Sequence, residues 1–99
     1  MQHFVNGVWT DNPQVSVFDL GFSRCVSVFD FMRTYNRRPF LLNEHLERFK
    51  KSAAVLGLGD FIAGFDLGRL VEQGVELNPG LELGIRLIVT PGQGIGISK

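Results

Sequence analysis

Residues 28–48 read VFDFMRTYNRRPFLLNEHLER, and this stretch decides the fold. Residues 26–35, which overlap its start, are the longest strand candidate, and from Val28 onward their side chains alternate as in a β-strand. Asn36-Arg37-Arg38 then predicts a tight turn, and residues 39–42 predict a short strand that pairs back. Asn43 is a residue type that caps helix N-termini, and the spacing predicts a helix from there to about Leu56. The stretch therefore predicts strand, turn, strand and capped helix in that order.

The predicted strand carries a mixture of apolar and polar side chains on each face. Such a strand is either central in its sheet, with part of one face open to a polar site, or at the sheet edge with its charges in water. Pattern alone slightly favours the edge. One face carries Phe29, Phe31, Arg33 and Tyr35, and the other carries Val28, Asp30, Met32 and Thr34.

The predicted helix presents His45 and Arg48 one turn apart, on the same side. On spacing alone, Arg48 is a surface arginine paired with Glu44, and His45 is a packed histidine that makes one hydrogen bond. A ligand role for the pair is the lesser alternative, because a guanidinium also suits phosphate or carboxylate. The apolar stripe of this helix consists of Leu46, Phe49, Ala53 and Leu56, and Gly57 ends it.

The remaining elements follow from shorter signals. Asn6-Gly7 predicts an opening hairpin, the alternation in residues 14–19 predicts a half-buried strand, and residues 21–24 predict a turn. Asp66 predicts the cap of a second helix, and residues 82–90 predict a last strand. Together, these elements predict an α+β domain: an antiparallel sheet of about five or six strands with two helices on one face.

Composition excludes several classes of function. The formal net charge is zero, so we expect no nucleic-acid partner, and there is no apolar run near the roughly 20 residues of a membrane span. Cys25 is the single cysteine, which rules out an internal disulfide, fits a reducing cytoplasm, and predicts a small buried side chain. No cysteine or histidine spacing predicts a metal site. The glycines of residues 92–96 lack the pattern of a phosphate-binding loop and predict a chain exit.

Several motifs in this order resemble the class-IV aminotransferase family, which includes branched-chain and D-amino-acid aminotransferases and aminodeoxychorismate lyase. Nearly the whole chain is covered, and residues 1–99 resemble the N-terminal small domain of the family as a single domain. The motifs are F-V-N-G-x-W from Phe4, D-x-G-F from Asp19, V-F-D-x-x-R-x-Y-N-x-x-P-F from Val28, L-x-E-H-L-x-R-x-x-x-S-A from Leu42, and I-R-L-I-V-T-x-G from Ile85.

The resemblance implies roles for four residues in a complete, two-domain enzyme that depends on pyridoxal 5′-phosphate. Arg48, the arginine of H-L-x-R, would hold the cofactor phosphate. Phe29, His45 and Arg86 would lie on the side of the substrate, an amino acid or another small molecule with an amino group. Whether this chain alone binds the cofactor is left open by the resemblance.

The chain also departs from the family pattern. The usual Y-G-D-G before V-F is residues 24–27 (RCVS), and the acidic residue after V-F is Asp30 rather than Glu. Arg37 replaces a turn glycine, so it must either avoid a positive φ or carry strain. Gly84 stands in place of a tyrosine, and Pro91 in place of an arginine.

The lysine that bonds the cofactor covalently in the family has no match here, so no catalytic residue is assigned. The chain has only Lys50, Lys51 and Lys99. We therefore expect the small domain of an aminotransferase or lyase, inactive alone, and whether the chain as given is an enzyme stays undecided. The alternative is a stand-alone, non-catalytic truncated domain that self-associates as a homodimer or binds a partner chain.

Overall fold

The computed structural model describes residues 1–93, which form an α+β fold, as predicted. A two-stranded hairpin and a three-stranded antiparallel sheet are accompanied by two longer and two short helices. The elements are β1 (His3–Val5), β2 (Val8–Thr10), α1 (Leu20–Ser23), β3 (Val28–Tyr35), β4 (Arg38–Pro39), α2 (Leu42–Val55), α3 (Gly59–Ile62), α4 (Leu67–Leu77) and β5 (Gly84–Val89).

The opening hairpin is confirmed. Asn6 and Gly7 have φ values of 50° and 90°, as a type I′ turn requires. The hairpin is tied to the end of α4, because the backbone N–H of Gln2 donates to Oδ1 of Asn78 at 2.7 Å. Phe4 also packs edge-on against Trp9, with ring centroids 5.2 Å apart.

The main sheet has the order β4-β3-β5, so β3 is its central strand. The prediction that slightly favoured an edge position for this strand is therefore wrong. The alternation itself is confirmed, because all side chains of one face are buried and all those of the other are exposed. The buried set is Val28, Asp30, Met32 and Thr34.

The main sheet has three strands rather than the five or six predicted, because β1 and β2 form a sheet of their own and residues 14–19 do not form a strand. Val15 and Val17 are each 62% exposed, so their alternation has no core to face. The predicted turn that follows is the one-turn helix α1, which Asp19 caps by accepting from the backbone N–H of Gly21 at 2.8 Å. Cys25 is exposed rather than buried and has a φ of 58°.

The N-cap of helix α2 lies two residues earlier than predicted. Leu41 is the N-cap, in the left-handed conformation with φ 55°, and its carbonyl accepts from the N–H of His45 at 3.0 Å. Asn43 lies inside the first turn and is not the cap. The chain leaves β4 only two residues before the helix starts, so it must bend sharply at Leu41. Gly57, with φ 77°, ends the helix as predicted.

The two longer helices lie on the buried side of the sheet. Asp66 caps α4 as predicted, accepting from the N–H of Arg69 at 3.1 Å. Leu56 is exposed at the end of the apolar stripe of α2, whose other three predicted members are buried. The shared core consists of Val28, Phe49, Ala53, Ile62 and Val89, and Val71 and Val75 of α4 are also buried.

The turn between β3 and β4 places Arg37 at a positive φ, so this residue carries the backbone strain that was one of the two predicted alternatives. Asn36 and Arg37 have φ values of 51° and 66°, the two positive values of a type I′ turn. The Arg37 guanidinium donates to the backbone carbonyls of Val75 and Leu81. Glu82 accepts from the N–H of Arg37 at 2.8 Å, so the turn is held by contacts to the end of α4 and the approach to β5.

Candidate functional site

The site is built around Asp30, a carboxylate inside the main sheet. Asp30 lies on the face of β3 that packs against α2, and its side chain is only 2% exposed. A buried carboxylate is costly unless charged or hydrogen-bonding groups satisfy it. Both such groups come from α2, which the apolar residues Leu46 and Phe49 hold against the sheet.

His45 and Arg48 bind Asp30 together. The Asp30 oxygen Oδ2 accepts from Arg48 Nε at 2.7 Å, and Oδ1 accepts from Arg48 Nη2 at 2.8 Å. The His45 atom Nδ1 lies 2.6 Å from the same Oδ1. Arg48 is therefore paired with Asp30 rather than with Glu44, which corrects the spacing-based prediction. The predicted packed histidine with one hydrogen bond matches the placement of His45.

This environment stabilises the ionised form of Asp30. The hydrogen bonds from Arg48 lower the pKa of the Asp30 carboxyl to about 2, against the opposing effect of burial and with further help from His45. Asp30 in turn raises the pKa of Arg48, chiefly through the same hydrogen bonds. Asp30 is thus an acceptor only, so the hydrogen between it and His45 belongs to Nδ1.

The Arg48 guanidinium is accessible although it is paired. Its side chain is 66% exposed, and only its Nε–Nη2 edge contacts Asp30. A guanidinium has five N–H donors, so three remain, two of them on Nη1. This donor set fits a phosphate group, which guanidinium recognises through paired hydrogen bonds. Lys51 and Ser52 of the same helix line the shallow depression beside Arg48, together with Glu44 and Glu47.

The other two predicted site residues, Phe29 and Arg86, lie on the opposite face of the sheet. Arg86 pairs with Phe31 in the β3–β5 register, and its guanidinium lies 5.8 Å from the ring centroid of Phe31. Phe29 is 65% exposed on the same face. The structure thus brings His45 and Arg48 together and brings Phe29 and Arg86 to one face, but it places the two pairs on opposite sides of the sheet.

That outer face is aromatic and cationic: the side chains predicted to share one face of β3 lie on it, and the structure adds Arg38 and Arg86 from the neighbouring strands. The ring of Phe31 fills the space above Gly84, where an added Cβ would approach it to 2.8 Å. Arg33 stacks on Tyr35, with its guanidinium carbon 4.0 Å from the ring centroid. The outward positions of the three strands carry no acidic residue: they are Phe29, Phe31, Arg33, Tyr35, Arg38, Gly84, Arg86 and Ile88.

The role of Asp30 was also missed. The sequence reading treated it only as a departure from the family glutamate, although its position between Val28 and Met32 placed it on an apolar, buried face. A charged residue at such a position predicts a charged partner, and His45 and Arg48 were the nearest candidates on one helix face.

Other features of the described part carry less chemistry. An apolar cleft of about 330 Å³ lies between the hairpin, α4 and β5, and the ionisable side chains among its lining residues are His3 and Arg86. Within residues 1–93, no group of three or more His, Cys, Asp or Glu side chains could hold a metal ion. No helix in the same range has the length and apolar character to cross a bilayer.

Comparison with known proteins identifies relatives for nearly the whole chain. The model of the family Amino-transferase class IV matches residues 27–97. A Methanocaldococcus jannaschii protein named as a branched-chain-amino-acid aminotransferase is 32% identical over 96 residues, which cover 95% of this chain and 33% of the relative. A D-alanine aminotransferase of Staphylococcus aureus is 35% identical over 77 residues, covering 76% of this chain and 25% of the relative.

A solved structure confirms the similarity of fold. A fold IV transaminase from Curtobacterium pusillum superimposes with a TM-score of 0.69 at 30% sequence identity, over 87% of this chain and 32% of the other. The chain thus spans between a quarter and a third of the length of the curated relatives it matches.

Proposed function

Because this chain belongs to the family of class IV aminotransferases, we propose that it serves as the small domain of a pyridoxal-phosphate-dependent aminotransferase or lyase. Arg48 holds the phosphate of the cofactor. Phe29, His45 and Arg86 belong to the substrate side, and the substrate is an amino acid or another small molecule with an amino group. Residues 1–99 form a single domain of that enzyme, which works in the cytoplasm, and a homodimer is its expected assembly.

The accessible guanidinium of Arg48 carries this proposal. The side chain of Arg48 is 66% exposed although it pairs with a buried carboxylate, so part of its guanidinium is open to an incoming anion. Its Nη1 donors lie away from Asp30, so an anion can reach them without breaking the existing pair. Arginine is the side chain best suited to binding phosphate through two parallel hydrogen bonds.

The residues of this chain bind and orient, and the chemistry is supplied by the cofactor. When bound, pyridoxal phosphate withdraws electrons from the amino acid carbon that carries the amino group. Arg48 would fix the phosphate end, and Asp30 keeps Nδ1 of His45 protonated. Neither Lys50 nor Lys51 matches the family lysine, and both lie on the exposed side of α2. The domain therefore supplies part of a cofactor site and does not turn over substrate alone.

The test is an NMR titration of the 99-residue chain with pyridoxine 5′-phosphate and, separately, with pyridoxine. These probes lack the aldehyde of the cofactor, so they cannot react with surface lysines. We expect a shift of the Arg48 Nε–H signal with the phosphorylated probe only, in the millimolar range typical of a partial site.

Two variants complete that titration. Arg48→Gln should abolish the phosphate-dependent binding, whereas Lys51→Gln, which removes a neighbouring positive charge from the same helix, should keep most of it. Equal shifts with both probes, or equal losses in both variants, would show that Arg48 is not the phosphate ligand.

The exposed outer face of the sheet favours a second function, a non-catalytic domain that binds a partner chain. Phe29, Phe31 and Ile88 are all at least 49% exposed there, and an apolar surface of this kind marks an interaction site. Pairing of two copies through this face would bring Arg33, Arg38 and Arg86 against their equivalents. Like charges oppose such a homodimer, so the face suits a partner that carries carboxylates.

Sedimentation at low and high salt separates these possibilities. Self-association through the outer face should strengthen with salt, because salt screens the repulsion between arginines. A dimer that persists at low salt and is unaffected by Arg86→Gln would use another surface. A monomer under both conditions would leave self-association without support.

A further inference from the structure

We propose that Asp30 is a positioning residue for the phosphate-binding arginine: it grips Arg48 by the Nε–Nη2 edge and leaves the Nη1 end directed to the phosphate. This inference rests on the proposed function, since it assigns the group that makes Arg48 an effective ligand. Asp30 itself would not touch the cofactor. It acts through Arg48 and also through His45, because its Oδ1 accepts from both side chains.

The two bonds from Arg48 fix the plane of its guanidinium. Nε and Nη2 donate to the two different oxygens of one carboxylate, at 2.7 and 2.8 Å. A pair of parallel hydrogen bonds between two planar groups leaves little rotation about either group. The remaining donors therefore point in a set direction, which a single hydrogen bond would not achieve.

The carboxylate that does this is itself buried, with its side chain only 2% exposed. Asp30 lies in the central strand, paired with Leu87 of β5, between the buried residues Val28 and Met32. Arg48, by contrast, is a long side chain on an exposed helix surface, where it would otherwise sample many rotamers. Holding it in advance lowers the entropy that phosphate binding has to overcome.

His45 is fixed by the same contact. Its Nδ1 donates to Asp30 at 2.6 Å and also lies 3.0 Å from Arg48 Nη2. Because Asp30 is ionised, the Nδ1 hydrogen goes to the carboxylate, and Nδ1 cannot also accept from Arg48. The second N–H of Arg48 Nη2, which lies on the Nη1 side, is thus left for a ligand, and the Nε2 atom of His45 remains to accept or donate.

Positioning and simple charge predict opposite results when the negative charge of Asp30 is removed. In Asp30→Asn the site becomes more positive, so charge alone would tighten the binding of a phosphate. Positioning predicts weaker binding, because Arg48 loses its paired acceptor. We expect the phosphate-dependent affinity to fall about three- to tenfold, which is the effect of releasing one immobilised side chain.

The experiment compares the 99-residue chain with its Asp30→Asn and Asp30→Glu variants, using pyridoxine 5′-phosphate and pyridoxine as probes. Asp30→Glu keeps the charge and restores the residue that the resemblance leads us to expect here, so it should recover most of the affinity. Hydrogen exchange at Arg48 Nε–H, measured by NMR without any probe, should speed up about tenfold in Asp30→Asn. A structural role for Asp30 would not alter the ratio of affinities for the two probes.

Each outcome decides the inference. Unchanged or tighter phosphate-dependent binding in a folded Asp30→Asn overturns the positioning role and leaves the function of Arg48 standing. No phosphate-dependent binding in the unaltered chain overturns both. If Asp30→Asn does not fold, the unaltered chain still decides: Arg48 Nε–H must exchange more slowly than the Nε–H of the exposed Arg24, and equal rates overturn the inference.

Discussion

At the scale of single residues, Asp30 links stability to pH. Its folded-state pKa of about 2 lies below the ordinary value of 3.8 because Arg48 and His45 favour the carboxylate. A lowered pKa stabilises the folded state above the ordinary value, and this contribution is lost as the pH falls toward the folded-state value. At most about 2 kcal/mol depends on this one group.

We therefore predict that the difference in unfolding free energy between the unaltered chain and Asp30→Asn shrinks as the pH falls. The difference should be constant from pH 7 to 5 and decrease by up to about 2 kcal/mol between pH 4 and 2. Urea unfolding of both proteins over this range measures it, and the other carboxylates cancel in the comparison. A difference that does not change with pH would mean that Asp30 is not selectively ionised in the folded state.

At the same scale, position 21 requires glycine because there is no space for a side chain, and not because of its backbone conformation. A Cβ added at Gly21 would lie 2.4 Å from Cγ2 of Thr90, a short and stiff side chain. Gly21 lies in α1, where alanine would otherwise be the better helix former. The glycine is thus needed because α1 passes directly over the end of β5.

Gly21→Ala should accordingly lower the unfolding free energy by about 1–3 kcal/mol, the usual cost of overpacking. Gly59→Ala is the matched control: its Cβ meets Ala54 at an ordinary 3.6 Å, so this change should be neutral or stabilising. Adding Thr90→Ser to Gly21→Ala removes Cγ2 and keeps the hydroxyl that accepts from the N–H of Gly92. Thermal denaturation should show recovery of much of the loss, and no recovery would place the clash elsewhere.

At the scale of elements, the start of α2 shows where a local signal gave the wrong answer. Asn43 has the right chemistry for a cap, but the helix is already under way there, with Leu41 as the cap in a left-handed conformation. The short connection from β4 imposes this bend, and a left-handed conformation costs an L-residue roughly 1–2 kcal/mol. The Leu41 side chain is exposed and contributes little in return.

Leu41→Gly should therefore raise the unfolding free energy by about 0.5–1 kcal/mol.

Asn43→Ala tests the corrected start of the helix: replacing a true cap would lower the unfolding free energy by about 1 kcal/mol, whereas replacing a residue in the first turn should change it little or increase it. Both values come from chemical denaturation, and a marked loss in Asn43→Ala would restore Asn43 as the cap.

Apart from the Asn43 cap, elements encoded by neighbouring residues were predicted well, whereas contacts with distant partners were not. Asn6-Gly7, the Asp66 cap and the apolar stripe of α2 act within a few residues, so the sequence identifies them. Residues 14–19 have a strand pattern but no adjacent strand, and pairing is decided by the rest of the chain. The Asp30–Arg48 contact joins residues 18 positions apart, and only packing of α2 on β3 brings them together.

At the scale of the whole molecule, the proposed function makes this chain one part of a cofactor site. The family assignment and the fold similarity rest on a stretch that covers about a third of the solved relative. His45 and Arg48 lie on one side of the sheet, and Phe29 and Arg86 on the other. Residues 94–99, which include Lys99 and most of the glycine-rich exit, lie outside the described part.

This arrangement predicts no covalent capture of the cofactor by the chain alone. Incubation with pyridoxal phosphate followed by sodium borohydride should leave no stoichiometric lysine adduct, because Lys50 and Lys51 lie on an exposed helix surface and are not activated by burial. Intact-mass spectrometry and peptide mapping provide the measurement. A single adduct at full occupancy on one lysine would contradict the proposed division of roles.

The alternation of β3 has a consequence for how this sequence can change. Phe29 and Asp30 are neighbours in the chain, yet one lies on the open aromatic face and the other in the arginine contact. Deleting one residue within β3 would exchange the two faces over the part of the strand beyond it, exposing the acid and burying aromatic rings. Substitutions can tune each face independently, whereas a change in length alters both at once. The strand should therefore tolerate substitutions much better than insertions or deletions.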